Sequence, residues 1–141
     1  DYDVTTEITT TERAAHFQIT FPENEKSSIV IDAFDKGSYI KIIPSENKII
    51  GYTTRNSGGV PLNFKNYFVL VFDKSFAANS TWIDKILTKD KLEAVGLHTG
   101  AIVEFKTKKG EKVNVKVASS FISPEQAELT LKNELGSASF E

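Results

Sequence analysis

The sequence predicts a mainly β protein, an antiparallel β-sandwich with one short helix at its C-terminal end. Three observations lead there. Apolar and polar residues alternate with a period of two through most of the chain, and turn residues separate the alternating segments. One run, Tyr67-Phe68-Val69-Leu70-Val71-Phe72, is apolar on both faces, which suits a central strand covered on both sides, as in a sandwich. Near the end the alternation stops at Ser123-Pro124-Glu125-Gln126, and helical spacing takes over.

In chain order, the first alternating segment is His16 to Phe21, where Phe17, Ile19 and Phe21 share one face and His16, Gln18 and Thr20 the other. Burying such apolar side chains stabilises by roughly 1.5 to 3 kcal/mol each before entropy is subtracted. Pro22-Glu23-Asn24 stops that strand. Ser28 to Phe34 offers Ile29, Ile31 and Ala33 to the core, Asp35-Lys36-Gly37 supplies a turn, and Tyr39 to Ile43 continues to Pro44. Ile49 to Arg55 is a further strand before the loop Asn56-Ser57-Gly58-Gly59. Ala77 to Gly100 admits two readings, because Trp82-Ile83-Asp84-Lys85-Ile86-Leu87 suits a helical turn or a strand. Ala101 to Thr107 and Val113 to Phe121 flank Lys108-Lys109-Gly110-Glu111, a short polar link that predicts a hairpin within a β meander.

The break in rhythm at Val117 to Leu135 carries two adjacent hydroxyls. Ser119 points with Val117 and Phe121, and Ser120 with Lys116 and Ala118. Neither has the flanking glycines of a nucleophile elbow. Ser123 and Gln126 instead form a capping box around Pro124 at the first helical position. Ala127, Leu131 and Leu135 then fall on one helix face, and Gly136 is placed to end the helix in the left-handed conformation. The expected organisation is a sandwich over residues 1–122 and a helix over 123–136.

Composition bounds the chemistry. A chain of 141 residues suits one domain with its own core. The 17 basic and 19 acidic residues are spread along it, leaving a net charge of -2 and no basic stripe for nucleic acid or anionic lipid. The longest apolar run, Tyr67 to Phe72, falls far short of the ~20 residues that span a bilayer. There is no cysteine, hence no disulfide or thiolate. Nor is there a methionine, and a chain starting at Asp1 reads as a processed product or an excised piece.

His16 and His98, the only histidines, lack neighbours at ligand spacing, so no metal site is expected. His16 reads as a polar-face strand residue and His98 as a loop residue. Asp32, Asp35, Asp73 and Asp84 read as exposed charges at strand ends rather than as a pair for glycoside cleavage. Trp82, Tyr52 and Tyr67 suit stacking on a sugar, although aromatic residues of a sandwich more often belong to its core. No catalytic residue emerges.

Thr11-Glu12-Arg13 through Thr20-Phe21-Pro22, Ile50-Gly51-Tyr52 leading to Ser57-Gly58, Tyr67-Phe68-Val69 through Lys74-Ser75-Phe76, and above all Gly100 to Leu135, taken in order, carry a family likeness. Together they resemble the N-terminal domain of glycoside hydrolase family 92, calcium-dependent exo-acting α-mannosidases common in Bacteroidetes. The resemblance implies part of a galactose-mutarotase-like supersandwich, joined in the parent enzyme to an (α/α)6 barrel that holds most of the inverting acid and base carboxylates and the Ca2+ site. The family's glycine-rich opening motif would fall before Asp1. No catalytic residue transfers to this chain. Many members carry a histidine one place beyond His16, and a tryptophan where Gly59 follows Ser57-Gly58 here.

The expected role is a non-catalytic N-terminal domain of an exo-α-1,2-mannosidase acting on mannose-containing glycans, with Tyr52, Arg55 and Trp82 as candidate carbohydrate or interdomain contacts. Its expected partner is the C-terminal (α/α)6 domain, and the resemblance implies a secreted, periplasmic or cell-surface location. Open strand edges predict self-association or an incomplete second sheet. The alternative is a free-standing carbohydrate-binding or interaction module using Trp82 and the tyrosines.

Overall fold

The computed structural model describes residues 2–141. Its strands are β1 (Thr5–Thr10), β2 (Ala14–Phe21), β3 (Asn24–Asp32), β4 (Ser38–Ile43), β5 (Lys48–Thr53), β6 (Asn66–Phe72), β7 (Ala78–Ile83), β8 (Ile86–Lys89), β9 (Glu93–Gly96), β10 (Thr99–Thr107) and β11 (Glu111–Ser120), followed by helix α1 (Pro124–Glu134). They form two antiparallel sheets, one of seven strands in the order β1-β2-β11-β6-β5-β4-β9 and one of four in the order β3-β10-β7-β8.

The inward residues of both sheets meet in one core. Ile40, Ile42, Ile49, Phe72 and Val113 come from the large sheet, and Ala101, Val103 and Phe105 from the small one. A second cluster lies on the opposite side of the large sheet, where Ala127, Leu131 and Leu135 of the helical segment pack on Ala14, Val69 and Ala118. The Tyr67–Phe72 run therefore becomes the buried strand expected of it. Phe72 faces the other sheet while Val69, fully buried, lies under the helix.

Two residues expected at the surface are buried by that same layer. His16 is 3% exposed and Gln18 9%, because α1 and the segment after it cover the outward face of β2. Phe17 and Ile19, on the inward face, are only half-buried, since the small sheet stops at β3. Alternation showed which residues share a face of β2. It did not show how completely each face is covered.

The expected β10–β11 hairpin is not formed. β10 pairs with β3 and β7 in the small sheet, whereas β11 pairs with β2 and β6 in the large one. Lys108-Lys109-Gly110-Glu111 is an arch between sheets, and its Gly110 amide donates to the Phe21 carbonyl of β2 at 2.9 Å. A polar glycine link reports a reversal of direction and not the sheet that receives the next strand. The chain likewise changes sheet between β2 and β3, so the topology is not a simple meander.

The ambiguous Ala77–Gly100 region holds β7, β8 and β9. Trp82-Ile83 ends one strand and Ile86-Leu87 begins the next around a turn at Asp84, whose φ is +54°. β1 was not anticipated, and its Thr-rich TTEITT is exposed along its whole length. The helix starts as expected, with the Gln126 amide donating to Ser123 Oγ at 3.1 Å. The reciprocal bond from the Gln126 side chain is not formed among the described residues. Gly136 follows with φ +40°.

Candidate functional site

The three candidate residues occupy three separate surfaces. Tyr52 sits on the outward face of the large sheet, opposite Tyr39 of β4 on one side and Tyr67 of β6 on the other. The rings form a row, with centroids 5.5 Å apart for Tyr39 and Tyr52 and 6.0 Å for Tyr52 and Tyr67. Lys65 Nζ lies 4.3 Å from the Tyr52 ring centroid, a cation over an aromatic face. At the end of the row the Tyr39 hydroxyl donates to the Glu93 carboxylate of β9. Burial and then that hydrogen bond push the phenol up to about 12, so Tyr39 stays protonated. Exposed Val95 stands beside Tyr39. Exposed Phe121, whose ring centroid is 5.5 Å from that of Phe64, and Ile122 lie just past Ser120, the partner of Tyr67.

Arg55 turns away from this row toward the end of the sandwich. It pairs with Asp35, and its guanidinium carbon lies 5.4 Å from the centroid of the Phe34 ring. Phe34 is 49% exposed and holds φ at +73°, a left-handed backbone that costs a bulky residue of order 1 to 3 kcal/mol. An Asp-based turn fixes it there: the Phe34 amide donates to Asp32 Oδ1 at 2.8 Å, and His98 Nε2 meets the same oxygen at 2.7 Å. The grouping of Phe34 with Arg55, and of Asp32 and His98 with Phe34, was not foreseen. Their grouping depends on β3 and β10 pairing over a long sequence separation, and the Asp turn before Phe34 was the one local signal available.

Trp82 lies on the outward face of the small sheet. It stands opposite Gly100 in the β7–β10 register and Leu87 in the β7–β8 register. A Cβ on Gly100 would overlap the indole ring and press on the Ile31 carbonyl. Trp82 is therefore half-buried by lying across a glycine of its own sheet, outside the core between the sheets.

The carboxylates weighed for glycoside cleavage are dispersed. Asp32 bonds His98, Asp35 pairs with Arg55, Asp73 accepts from the Asn114 amide and side chain at 2.8 Å each, and Asp84 occupies the β7–β8 turn. Among the described residues no group of three or more His, Cys, Asp or Glu side chains is arranged to hold a metal ion. Among the described residues no helix is long and apolar enough to cross a membrane. What the outward surfaces offer is contact chemistry: a tyrosine row with a lysine, an exposed phenylalanine with an arginine, and a flat indole.

A family model described as the glycosyl hydrolase family 92 N-terminal domain matches residues 1–120. Among solved structures, the GH92 inverting mannosidase BT2199 from Bacteroides thetaiotaomicron VPI-5482 superposes with a TM-score of 0.92 at 37% identity, 96% of this chain lying on 18% of that one. The GH92 α-mannosidase BT3965 from Bacteroides thetaiotaomicron gives a TM-score of 0.87 at 29% identity, with 99% of this chain on 20% of the other. The GH92 family glycosyl hydrolase ccman5 shares the fold at 23% identity and a TM-score of 0.83, over 97% of this chain and 19% of its own. A search of curated proteins finds no match. The chain spans between 18% and 20% of the length of these solved relatives.

Proposed function

The chain belongs to glycosyl hydrolase family 92, through the N-terminal domain of that family, and on this premise we propose that it is the non-catalytic β-sandwich of an exo-α-1,2-mannosidase. The observation that carries the proposal is the match of almost the whole chain to about a fifth of an inverting mannosidase, at 37% identity. In this reading the sandwich supports the active site of an (α/α)6 domain of the same polypeptide, which hydrolyses α-mannosides of glycans with inversion, outside the cytoplasm.

The aromatic surfaces suit a supporting role. The tyrosine row, Val95, Phe121 and Ile122 make an apolar area beside the helix, of the kind that a second domain covers. Tyr52, and with it Arg55 and Trp82, are proposed as contacts to that domain or to the glycan it holds. The calcium ion of the parent enzyme would take its ligands from outside this chain, because the carboxylates described here are dispersed singly among other partners.

Deleting residues 1–141 from the polypeptide encoded by the whole gene tests the proposal. The intact product should release mannose from α-1,2-mannobiose in a calcium-dependent reaction, and the deletion should abolish that release. Full activity after deletion, or none in the intact product, would overturn it.

A further inference from the structure

The turn between β1 and β2 is a short hairpin loop, Glu12-Arg13, closed by the Thr11 amide donating to the Ala14 carbonyl at 2.9 Å. Three donors on this turn converge on one distant group, the carboxylate of Glu134 at the last residue of α1. The Thr11 hydroxyl donates to Oε2 at 2.5 Å, the Arg13 amide to the same oxygen at 2.9 Å, and Arg13 Nε to Oε1 at 3.0 Å. Thr11 Oγ1 also accepts from the Ala14 amide at 3.2 Å. Its proton goes to Glu134, a charged acceptor nearer than the Ala14 carbonyl at 3.2 Å.

Helix formation does not account for Glu134. A negative charge in the last turn opposes the helix dipole, so its place there is explained by what it bonds. What it holds down is a thin layer. α1 has 11 residues, fewer than the ~12–15 below which an isolated helix is marginal in water. Its seam is Ala127, Leu131 and Leu135 on Ala14, Val69 and Ala118, three of the six being alanines, whereas phenylalanines and isoleucines fill the core between the sheets. Little apolar burial therefore holds the helix. Glu128 reaches Lys48 at 3.0 Å, but its side chain is 46% exposed against 15% for Glu134, and an exposed pair contributes little. Lys116 Nζ donates to the Gly136 carbonyl at 2.8 Å beyond the helix. At the other end the chain enters α1 through Phe121 and Ile122, both exposed, so their burial does not pin it there.

We propose that the β1–β2 turn is a latch. Thr11 and Arg13 hold α1 on the large sheet through Glu134, and on release α1 and the segment after it lift about Phe121-Ile122 as one unit while both sheets stay folded. The turn keeps its shape when the helix leaves, because β1 and β2 pair from Thr5 to Thr10 and the hairpin closes itself. Opening uncovers Val69, which stands two residues from Tyr67 on the same face of β6, and so extends the apolar area beside the tyrosine row. The latch is made of contacts within this chain and does not depend on the proposed mannosidase role.

Hydrogen exchange at about pH 7, followed by mass spectrometry, reads the opening in the native chain. Glu134→Gln removes the charge with little change of shape, and Glu128→Gln is the comparison. In the native chain the α1 amides should exchange about tenfold faster or more than those of Val113 to Val117, which lie in a strand paired on both sides. Glu134→Gln should speed α1 a further fivefold or so, about the loss of one charged hydrogen bond, and leave β11 unchanged. Glu128→Gln should alter α1 by less than about twofold. One rate shared by α1 and β11 in the native chain, equal acceleration of both in Glu134→Gln, no acceleration in that variant, or as large an effect from Glu128→Gln would overturn the proposal.

Discussion

Trp82 lies across Gly100: the two stand opposite each other in neighbouring strands of the small sheet, and the glycine leaves the room that the indole fills. Gly100→Ala forces a methyl group into the ring and toward the Ile31 carbonyl, so we expect a loss of roughly 1 to 3 kcal/mol, typical of overpacking. Because Trp82 is the sole tryptophan, urea denaturation followed by its fluorescence measures the loss and reports the displaced ring at once. Unchanged stability and emission would mean that the indole does not depend on this contact.

Ser123 caps α1 by accepting from the Gln126 amide. Ser123→Ala should cost about 1 kcal/mol, read as a lower thermal midpoint. An unaltered midpoint would show that the cap contributes nothing to stability.

The pH response should trace to His16. Burial first, and the Lys116 charge second, hold its pKa below the ordinary 6.5, with Asn114 and Asp73 partly offsetting them. The unfolded chain therefore binds a proton that the folded chain resists, so stability is full above about pH 6.5 and declines as pH falls from there to the lower folded value. Thermal melts of the native chain and of His16→Gln between pH 7.5 and 5 check this. The native chain should lose stability over that window by more than the variant does, and parallel curves would contradict the assignment. Glu111, Glu125 and Glu134 do not complicate the window, because their lowered pKa values place their loss below 4.5.

Phe17, Ile19, Ile29, Ile31, Phe68 and Leu70 line an apolar groove of about 410 Å3 where the four-stranded sheet stops short of the seven-stranded one. The isolated chain should self-associate as its concentration rises, visible in light scattering, because β3 is an open edge beside that groove. Val30→Lys, placing a charge on the exposed face of β3, should return it toward a monomer. A native chain that stays monomeric at high concentration would show that the groove is not adhesive.

Local signals made some parts of this molecule legible. Ser123, Pro124 and the four-residue spacing of Ala127, Leu131 and Leu135 placed the helix, because capping and amphipathicity act within a few residues. Alternation likewise grouped Phe17, Ile19 and Phe21. What it could not convey is long-range pairing. The arch at Gly110 looks like a hairpin, and only the separate partners of β10 and β11 distinguish them. The candidate residues suffered in the same way. Tyr52 and Tyr67 stand out as separate aromatic residues, yet the row they form with Tyr39 is made across two strand pairings. Arg55 meets Phe34 and Asp35, which were read only as the end of one strand and the start of a turn. The tyrosine row, the Phe34 end and the Trp82 face each depend on register, a property of pairs of segments rather than of any one of them.

In the proposed role the sandwich contributes shape and contact and no catalysis, which an assay of the chain by itself checks. Purified chain of residues 1–141, supplied with calcium and α-1,2-mannobiose, is followed for released mannose. No release above the buffer control is expected at any pH between 5 and 8. Saturable turnover that persists through purification would contradict it and move the chemistry into this chain.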